Sequence, residues 1–221
     1  MNTNHERRHS SRRSRFVEVA VTTGIAFIAP PALGLPGGIA GYSGAQGVDC
    51  TSCHTPVPEG PLATVEVIDV ATGLSDPSMV EVGSTRSFMV RISGGPAVVC
   101  GFDVSTQGIG ELVPSASDSG VRAQQGELTH TMPRSFSKDA TCEFAFDWQA
   151  PISPTQDPVI LYAAGNSANG NQSNSGDAIA TTTHAIEVVP EPSSQHLAVA
   201  AIAALGIARR PWERRRQPSS P

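Results

Sequence analysis

Hydrophobic and polar residues alternate along short segments in the middle of the chain. In the clearest of them, residues 142–148, a cysteine, two phenylalanines and a tryptophan alternate with Glu, Ala and Asp. A period of two is typical of an antiparallel strand with one face in a core and the other toward solvent. We therefore expect Trp148 in the core. The pattern predicts eight strands, at residues 62–70, 87–92, 97–104, 111–113, 127–132, 142–148, 159–164 and 178–189.

Turn residues separate the predicted strands, for example Gly94, Gly95 and Pro96. The chain has 221 residues, with 21 Gly, 18 Pro and only 16% charged residues. This composition does not fit a helical bundle, which is rich in Ala, Leu, Glu and Lys. Short strands with such turns predict an all-β fold, an immunoglobulin-like antiparallel β-sandwich over residues 62–189.

Charge is distributed unevenly along the chain. Residues 41–190 contain 16 acidic and 5 basic residues, whereas each end contains five arginines and two acidic residues. The net charge of −5 speaks against a nucleic-acid-binding protein, which needs a basic face. An arginine-rich start followed by an apolar stretch is typical of a secretory signal. Residues 1–40 are therefore predicted as a signal segment, with cleavage before Gly41 after the small residues Gly38 and Ala40.

The motif Val189-Pro190-Glu191-Pro192 begins the C-terminal tail, and twelve mostly apolar residues, 197–208, and five arginines follow it. This tail resembles the PEP-CTERM sorting signal of Gram-negative bacteria. The resemblance implies that residues 190–221 form a short hydrophobic helix that anchors the protein transiently in the membrane and is processed by an exosortase. It also implies an exported protein, located in the periplasm, at the outer surface or in the extracellular matrix.

Residues 50–54 have the sequence Cys-Thr-Ser-Cys-His, the C-x-x-C-H pattern of covalent c-type haem attachment. Thiols at this spacing reach the two vinyl groups on one edge of the porphyrin, and the histidine binds the iron as proximal ligand. We therefore expect one haem c on a loop at residues 41–61, attached through Cys50 and Cys53 with His54 on the iron. A Cys50–Cys53 disulfide or redox pair, and a metal site without haem, are the alternatives.

The distal side of the iron has no comparably specific motif. His130 is the predicted distal ligand, and His184, Met79, Met89 and Met132 are further candidates. Of the three methionines, Met89 and Met132 are expected in the core instead. A five-coordinate or water-ligated iron is also open.

Cys100 and Cys142 lie in apolar, strand-like segments. Disulfides persist in exported proteins, so these two cysteines are predicted to pair across the core. The alternative is two free buried cysteines. Closing a loop of about 43 residues stabilises a fold by about 4 kcal/mol in the chain-entropy account.

A polar stretch rich in Asn and Gly occupies residues 166–177. Oxygen-rich loops bind calcium, but such loops usually supply several carboxylates, and Asp177 is the only charged residue here. The stretch is therefore predicted as a solvated hairpin, with a calcium site as the alternative.

Five short motifs follow one another in the central segment, at residues 101–104, 127–131, 146–151, 161–166 and 176–177. Their order resembles the reeler-like choice-of-anchor V domain of bacterial surface proteins. Those proteins also have a Gly-Tyr-Ser-Gly stretch before Cys-x-x-Cys-His and a C-terminal anchor. The resemblance covers residues 41–188 and implies a reeler-like sandwich at the cell surface, without a defined chemistry.

The leading hypothesis for function is an exported β-sandwich with one covalent haem that exchanges electrons with a redox partner protein or senses redox state. The alternative is a non-enzymatic surface module that binds a partner or extracellular matrix polysaccharide, with Cys50–Cys53 as a structural disulfide. A haem enzyme such as a peroxidase is least favoured, because His130 is the sole weak candidate for a distal acid-base residue. The sequence has no supported Ser-His-Asp arrangement and no Gly-rich phosphate loop.

Overall fold

The structure is a computed structural model, and it describes residues 36–75 and 77–191. The predicted signal segment up to residue 35 lies outside the described residues. Pro192 of the sorting motif, the predicted hydrophobic helix and the arginine cluster also lie outside them. In the part that the structure describes, no helix is long and apolar enough to cross a membrane.

Strands make up most of the described chain, together with one 3₁₀ turn, Cys50–Ser52. In chain order the strands are β1 (Thr55–Pro56), β2 (Ala63–Asp69), β3 (Ser78–Glu81), β4 (Thr85–Gly94), β5 (Val99–Ser105), β6 (Glu111–Pro114), β7 (Val121–Gln124), β8 (Glu127–His130), β9 (Arg134–Ser135), β10 (Thr141–Gln149), β11 (Val159–Ala168) and β12 (Ser175–Val189).

The strands form two sheets that pack face to face around one core. The smaller sheet is antiparallel, in the order β2-β4-β10-β6. The larger sheet has the order β1-β12-β11-β5-β8-β7, with β3 paired to β12 and β9 paired to β5. Its pairings are antiparallel except for β1 and β3, which run parallel to β12. The predicted all-β, immunoglobulin-like sandwich is therefore confirmed.

The core follows the alternation that the sequence predicts. Along β10, Phe144, Phe146 and Trp148 are fully buried, and the residues between them are half-buried. The ring of Phe144 stacks on that of Phe102 in β5, with centroids 4.4 Å apart, so the contact joins the two sheets. The indole N–H of Trp148 donates to the carbonyl oxygen of Ile109 over 3.0 Å, which satisfies its polar atom inside the core.

A disulfide joins Cys100 of β5 to Cys142 of β10 and therefore links the two sheets. Both residues are buried, and their Cα atoms lie 6.5 Å apart. This separation is within the range of native disulfides. The predicted pairing is confirmed, and the alternative of two free buried cysteines is wrong.

Four of the described strands, β1, β3, β7 and β9, are absent from the prediction. Each has two to four residues. Such segments contain too few positions for an alternating pattern to stand out. Tertiary pairing with β12, β8 and β5 makes them strands.

The two methionines predicted for the core lie elsewhere. Met132 is 72% exposed, because β8 ends at His130, two residues earlier than predicted. Met89 is half-buried on the outer face of β4, between the core residues Phe88 and Val90. The exposure of Met132 follows from where β8 ends, and the position of Met89 follows from which face of β4 turns toward the core.

Candidate functional site

A cavity of about 730 Å³ opens on the outer face of the larger sheet. In β5, Cys100 and Phe102 belong to the core, so Val99, Gly101 and Asp103 face the other way and contribute to the cavity. The lining residues are Pro36, Gly38, Ile39, Tyr42, Cys50, Cys53, His54, Val99, Cys100, Gly101, Phe102, Asp103, Thr129, His130, Pro133, Asn166, Ala168, Gly170, Asn171, Gln172, Ser173 and Asp177. The structure therefore brings the predicted haem motif and the predicted distal ligand to one cavity.

A single helical turn presents the motif to the cavity. Asp49 caps this turn, because its Oδ1 accepts a hydrogen bond from the Thr51 amide over 2.8 Å. The amides of Cys53 and His54 both donate to the carbonyl oxygen of Cys50, over 3.2 and 2.9 Å. Cys50 and Cys53 have free thiols in this arrangement. The turn thus holds both thiols and the imidazole against the same cavity.

The polar stretch at residues 166–177 forms a hairpin between β11 and β12, and it fixes the motif in place. Asn174 donates from its side chain to the carbonyl oxygen of Cys53 over 2.9 Å and accepts from the Thr55 amide over 2.7 Å. The one charged side chain of the stretch, Asp177, is buried and bonds to His54. The hairpin therefore supports the motif, in addition to connecting two strands.

His54 is held by two polar side chains. Its Nδ1 lies 2.5 Å from Asp177 Oδ2 and can donate its proton there. The side chain of Asp177 is 1% exposed, and its Oδ1 accepts from the Asn169 amide over 3.1 Å. Asn166 Nδ2 lies 3.1 Å from His54 Nδ1 and 3.4 Å from Nε2, and with the Nδ1 proton donated to Asp177 only Nε2 can accept from it. The buried Asn166 Oδ1 has no hydrogen-bond partner among the described residues. A proton held on Nδ1 leaves Nε2 as the ligand nitrogen of His54.

His130 lies directly over a glycine. A Cβ on Gly101 would come within 2.4 Å of His130 Cε1, so only glycine gives the imidazole this position. His130 Nδ1 lies 3.1 Å from the amide nitrogen and 3.3 Å from the carbonyl oxygen of Phe102. Burial, aided by the nearby positive charge of Arg122, lowers the pKa of His130. The side chain is therefore neutral at neutral pH, the form that binds metal ions.

Electrostatics keeps Cys50 protonated. Burial, followed by the carboxylates of Asp103 and Asp49, raises the pKa of the Cys50 thiol to about 12. Redox-active and metal-binding cysteines act as thiolates and have lowered pKa values. In the part of the chain that the structure describes, no cluster of three or more His, Cys, Asp or Glu side chains could hold a metal ion. With its raised pKa, the Cys50 thiol is in its neutral form at neutral pH.

An acidic pair adjoins the cavity. Asp103 Oδ2 accepts from the Tyr42 amide over 2.7 Å, while its buried Oδ1 has no partner among the described residues. Glu127 Oε2 accepts from the Gly41 amide over 2.5 Å. Burial, followed by the charge of Glu127, raises the pKa of Asp103 to about 8. Asp103 is therefore largely protonated at neutral pH in this form of the chain.

The other proposed distal ligands lie away from the cavity. His184 is buried beside Phe88, and its Nε2 lies 2.9 Å from Ser78 Oγ. Met79 is 65% exposed on β3. Neither they nor Met89 and Met132 line the cavity. Among the candidates for a distal ligand, His130 is therefore the one that lines this cavity.

Three residues that shape the site were not predicted: Gly101, Asn166 and Asp177. A glycine inside a strand often marks a close approach by another group, so Gly101 could have indicated that a side chain packs against β5 at this point. Asp177 is the only charged residue of a polar stretch. Nothing in the sequence connects either it or Asn166 to His54, more than 110 positions earlier, because that contact depends on strand order.

No known protein-family profile and no curated protein matches the chain. Similar solved structures include a cohesin module from a family 33 glycoside hydrolase of Clostridium perfringens, 13% identical over 59% of this chain and 98% of that chain, TM-score 0.34. Another is the CARDB domain of a Pyrococcus furiosus protein, 13% identical over 60% of this chain and 100% of that chain, TM-score 0.30. Similarity at this level says nothing about ligand or partner.

Proposed function

We propose that this sandwich is a non-enzymatic binding module of an exported surface protein, and that its cavity holds one covalent haem c. The observation that carries the proposal is the meeting of four side chains, Cys50, Cys53, His54 and His130, at a single cavity. The first three belong to a local motif, whereas His130 comes from β8, far along the chain. A C-x-x-C-H sequence that occurred by chance would not explain why His130 lines the same cavity as the motif.

The cavity fits a group of this kind. Its volume of about 730 Å³ lies in the range of small-molecule and cofactor sites. A porphyrin supplies four of the iron ligands itself, so the protein needs to offer only one or two imidazoles. The buried Asn166 Oδ1 beside His54 has no hydrogen-bond partner among the described residues, so this polar atom of the cavity wall is available to a bound group.

Each residue has a separate task in this proposal. The thiols of Cys50 and Cys53 add across two vinyl groups, so that each sulfur bonds to one carbon and the thiol proton passes to the other. His54 would bind the iron through Nε2 while Asp177 holds its Nδ1 proton, and His130 would be a second imidazole ligand. Bound haem supplies one-electron transfer between its ferric and ferrous states.

The charge of the central segment favours a basic redox partner protein. Residues 41–190 have 11 more acidic than basic residues. Complementary charge steers encounter and increases the association rate. In this proposal the signal segment and the exosortase-processed tail bring the module to the periplasm or the outer surface, with the tail as a transient membrane anchor.

A second candidate is a surface module whose cavity binds extracellular matrix polysaccharide. The observation in its favour is the row of polar side chains at one side of the cavity, from Asn171, Gln172 and Ser173. Amides and hydroxyls of this kind hydrogen-bond to sugar hydroxyls. In this case Cys50 and Cys53 form a structural disulfide after export.

The test is export of the full chain in a host with c-type haem maturation, followed by a haem-stained denaturing gel and a pyridine haemochrome spectrum. We expect haem that survives denaturation in the parent and is lost in Cys50→Ser/Cys53→Ser. The folded parent without haem contradicts the haem proposal. Glycan binding by that haem-free protein would then support the second candidate.

A further inference from the structure

Two backbone amides just after the predicted cleavage point bind two carboxylates. Gly41 N donates to Glu127 Oε2 over 2.5 Å, and Tyr42 N donates to Asp103 Oδ2 over 2.7 Å. Asp103 is buried, and its Oδ1 has no hydrogen-bond partner among the described residues. No basic side chain in the described ranges forms an ion pair with either acid. Asp103 is buried and Glu127 is half-buried, and in the described residues no cation balances the two acids.

Gly41 is the residue that signal cleavage would make the first of the mature chain. Hydrolysis of the preceding peptide bond by a signal peptidase adds water, leaving a carboxylate on Ala40 and an α-ammonium group with three N–H donors on Gly41. An α-amino group ordinarily has a pKa of about 7.7 to 8.0, and neighbouring carboxylates raise it. The nitrogen that would become this cation already lies 2.5 Å from a carboxylate oxygen.

We propose that Asp103 and Glu127 form the binding site for the N terminus that cleavage creates at Gly41. Glu127 Oε2 keeps the nitrogen it already contacts, and the free Oδ1 of Asp103 is the second acceptor. The exposed position of Gly41 leaves space for the two additional protons and their hydration. The proposal concerns the chain's own terminus and does not depend on haem.

Cleavage would also change the cavity, because it removes Pro36, Gly38 and Ile39 from its lining. Gly38 lies so close to β8 that a Cβ on it would come within 2.4 Å of Thr129 Oγ1 and 2.6 Å of the His130 carbonyl oxygen. Processing therefore opens the side of the cavity next to His130. The ion pair holds the new terminus at the edge of that opening.

The charges around the pair favour this assignment. Asp103 faces the carboxylate of Glu127 and the thiol of Cys50. Arg122 on β7 donates to the Gly38 carbonyl oxygen over 3.2 Å, an acceptor that cleavage removes. A cation placed between the two carboxylates favours their charged forms, so binding of the α-ammonium lowers the pKa of Asp103 from its present value of about 8.

The experiment uses the full chain with a site for a specific protease placed immediately before Gly41. A matched control has the same site before Gly37, so that the same protease leaves an N-terminal glycine four residues away. The pKa of the Asp103 carboxyl is measured by carbon-13 NMR before and after cleavage. We expect it to fall by about two pH units after cleavage before Gly41 and not after cleavage before Gly37. The same pKa in both cleaved forms overturns the proposal.

A second measurement guards against distortion by the inserted site. The naturally exported protein is sequenced from its N terminus, and its melting temperature at pH 7 is compared with that of Glu127→Gln. Glu111→Gln, a change at an exposed acid on β6, is the control. We expect a Gly41 terminus and a lower melting temperature for Glu127→Gln only. A terminus other than Gly41, or equal melting temperatures, contradicts the proposal, whether or not haem is attached.

Discussion

Replacing Asp177 by asparagine tests the link between the cavity and the proposed haem chemistry. The wild-type carboxylate lies 2.5 Å from His54 Nδ1 and is 1% exposed. Asparagine has the same shape but one acceptor oxygen, so it can accept from the Asn169 amide or from His54 Nδ1 and not from both. The variant also loses the negative charge behind the proposed axial imidazole. Ferric haem has one more positive charge than ferrous haem, so this loss disfavours the ferric state and raises the reduction potential.

The size of the change follows from the hydrogen bond. A hydrogen bond to a charged group contributes about 1.5 to 3 kcal/mol. For a one-electron couple, about 1.4 kcal/mol corresponds to about 59 mV, which gives a rise of about 60 to 130 mV. The side chain of His54 is 21% exposed, so water screens part of the effect. We therefore expect a rise in the lower half of that range, about 60 to 95 mV.

The assay is a spectroelectrochemical titration of the exported, haem-loaded protein and of Asp177→Asn. Asp139→Asn is the matched control, because Asp139 is an exposed acid in a turn and does not line the cavity. We expect the potential of the control to stay within about 10 mV of the parent, since its charge is screened by solvent. An equal potential in Asp177→Asn and parent would refute the claim that Asp177 holds the axial histidine.

Three further predictions concern the cavity and the fold. Gly101→Ala pushes the His130 imidazole aside, because the new Cβ would lie 2.4 Å from its ring. We expect haem to attach still, but the absorption spectrum to change from low-spin to high-spin. An unchanged spectrum would show that His130 is not a ligand. Asp69→Asn breaks a buried pair with Arg86 and lowers the free energy of unfolding by about 3 kcal/mol at pH 7. Burial alone would raise the pKa of Asp69, but the hydrogen bonds from Arg86, Ser78 and the Ala71 amide, with the charge of Arg86, together hold this pKa below its usual value. The contribution of the Asp69 carboxylate to stability is therefore complete above pH about 4 and is lost as the pH falls further. In urea titrations, the free energies of unfolding of the parent and of Asp69→Asn should converge in acid. Replacing Cys100 and Cys142 by serine removes a disulfide that spans 42 positions and should lower the free energy of unfolding by about 4 kcal/mol in the same urea titration at pH 7. An unchanged free energy of unfolding would contradict the role of this disulfide in linking the two sheets.

The fold was largely predictable because its core strands are long enough to show alternation. Each of the eight predicted segments corresponds to an observed strand, and β10 has the predicted buried face. Short pairings such as that of β3 with β12 were missed, since four residues contain no clear period and the partner is about a hundred positions away. The parallel direction of that pair is likewise a property of the assembled sheet.

The site was predictable only in its local part. Cys50, Cys53 and His54 stand together in the sequence, and their spacing has a chemical reason. His130 was the first of several candidates for the distal ligand, but the sequence alone could not place it beside the motif. Its place at the cavity depends on the pairing of β8 with β5 and on the close approach that Gly101 permits. The contact of His54 with its buried carboxylate depends on strand order in the same way.

The most direct test of the account is the intact mass of the exported protein after full denaturation. We predict the mass of the processed polypeptide plus one haem, with the addition mapped to a peptide that contains both Cys50 and Cys53. A polypeptide without added mass, whether its two cysteines are free or joined, would contradict the proposed haem and leave the surface-binding module.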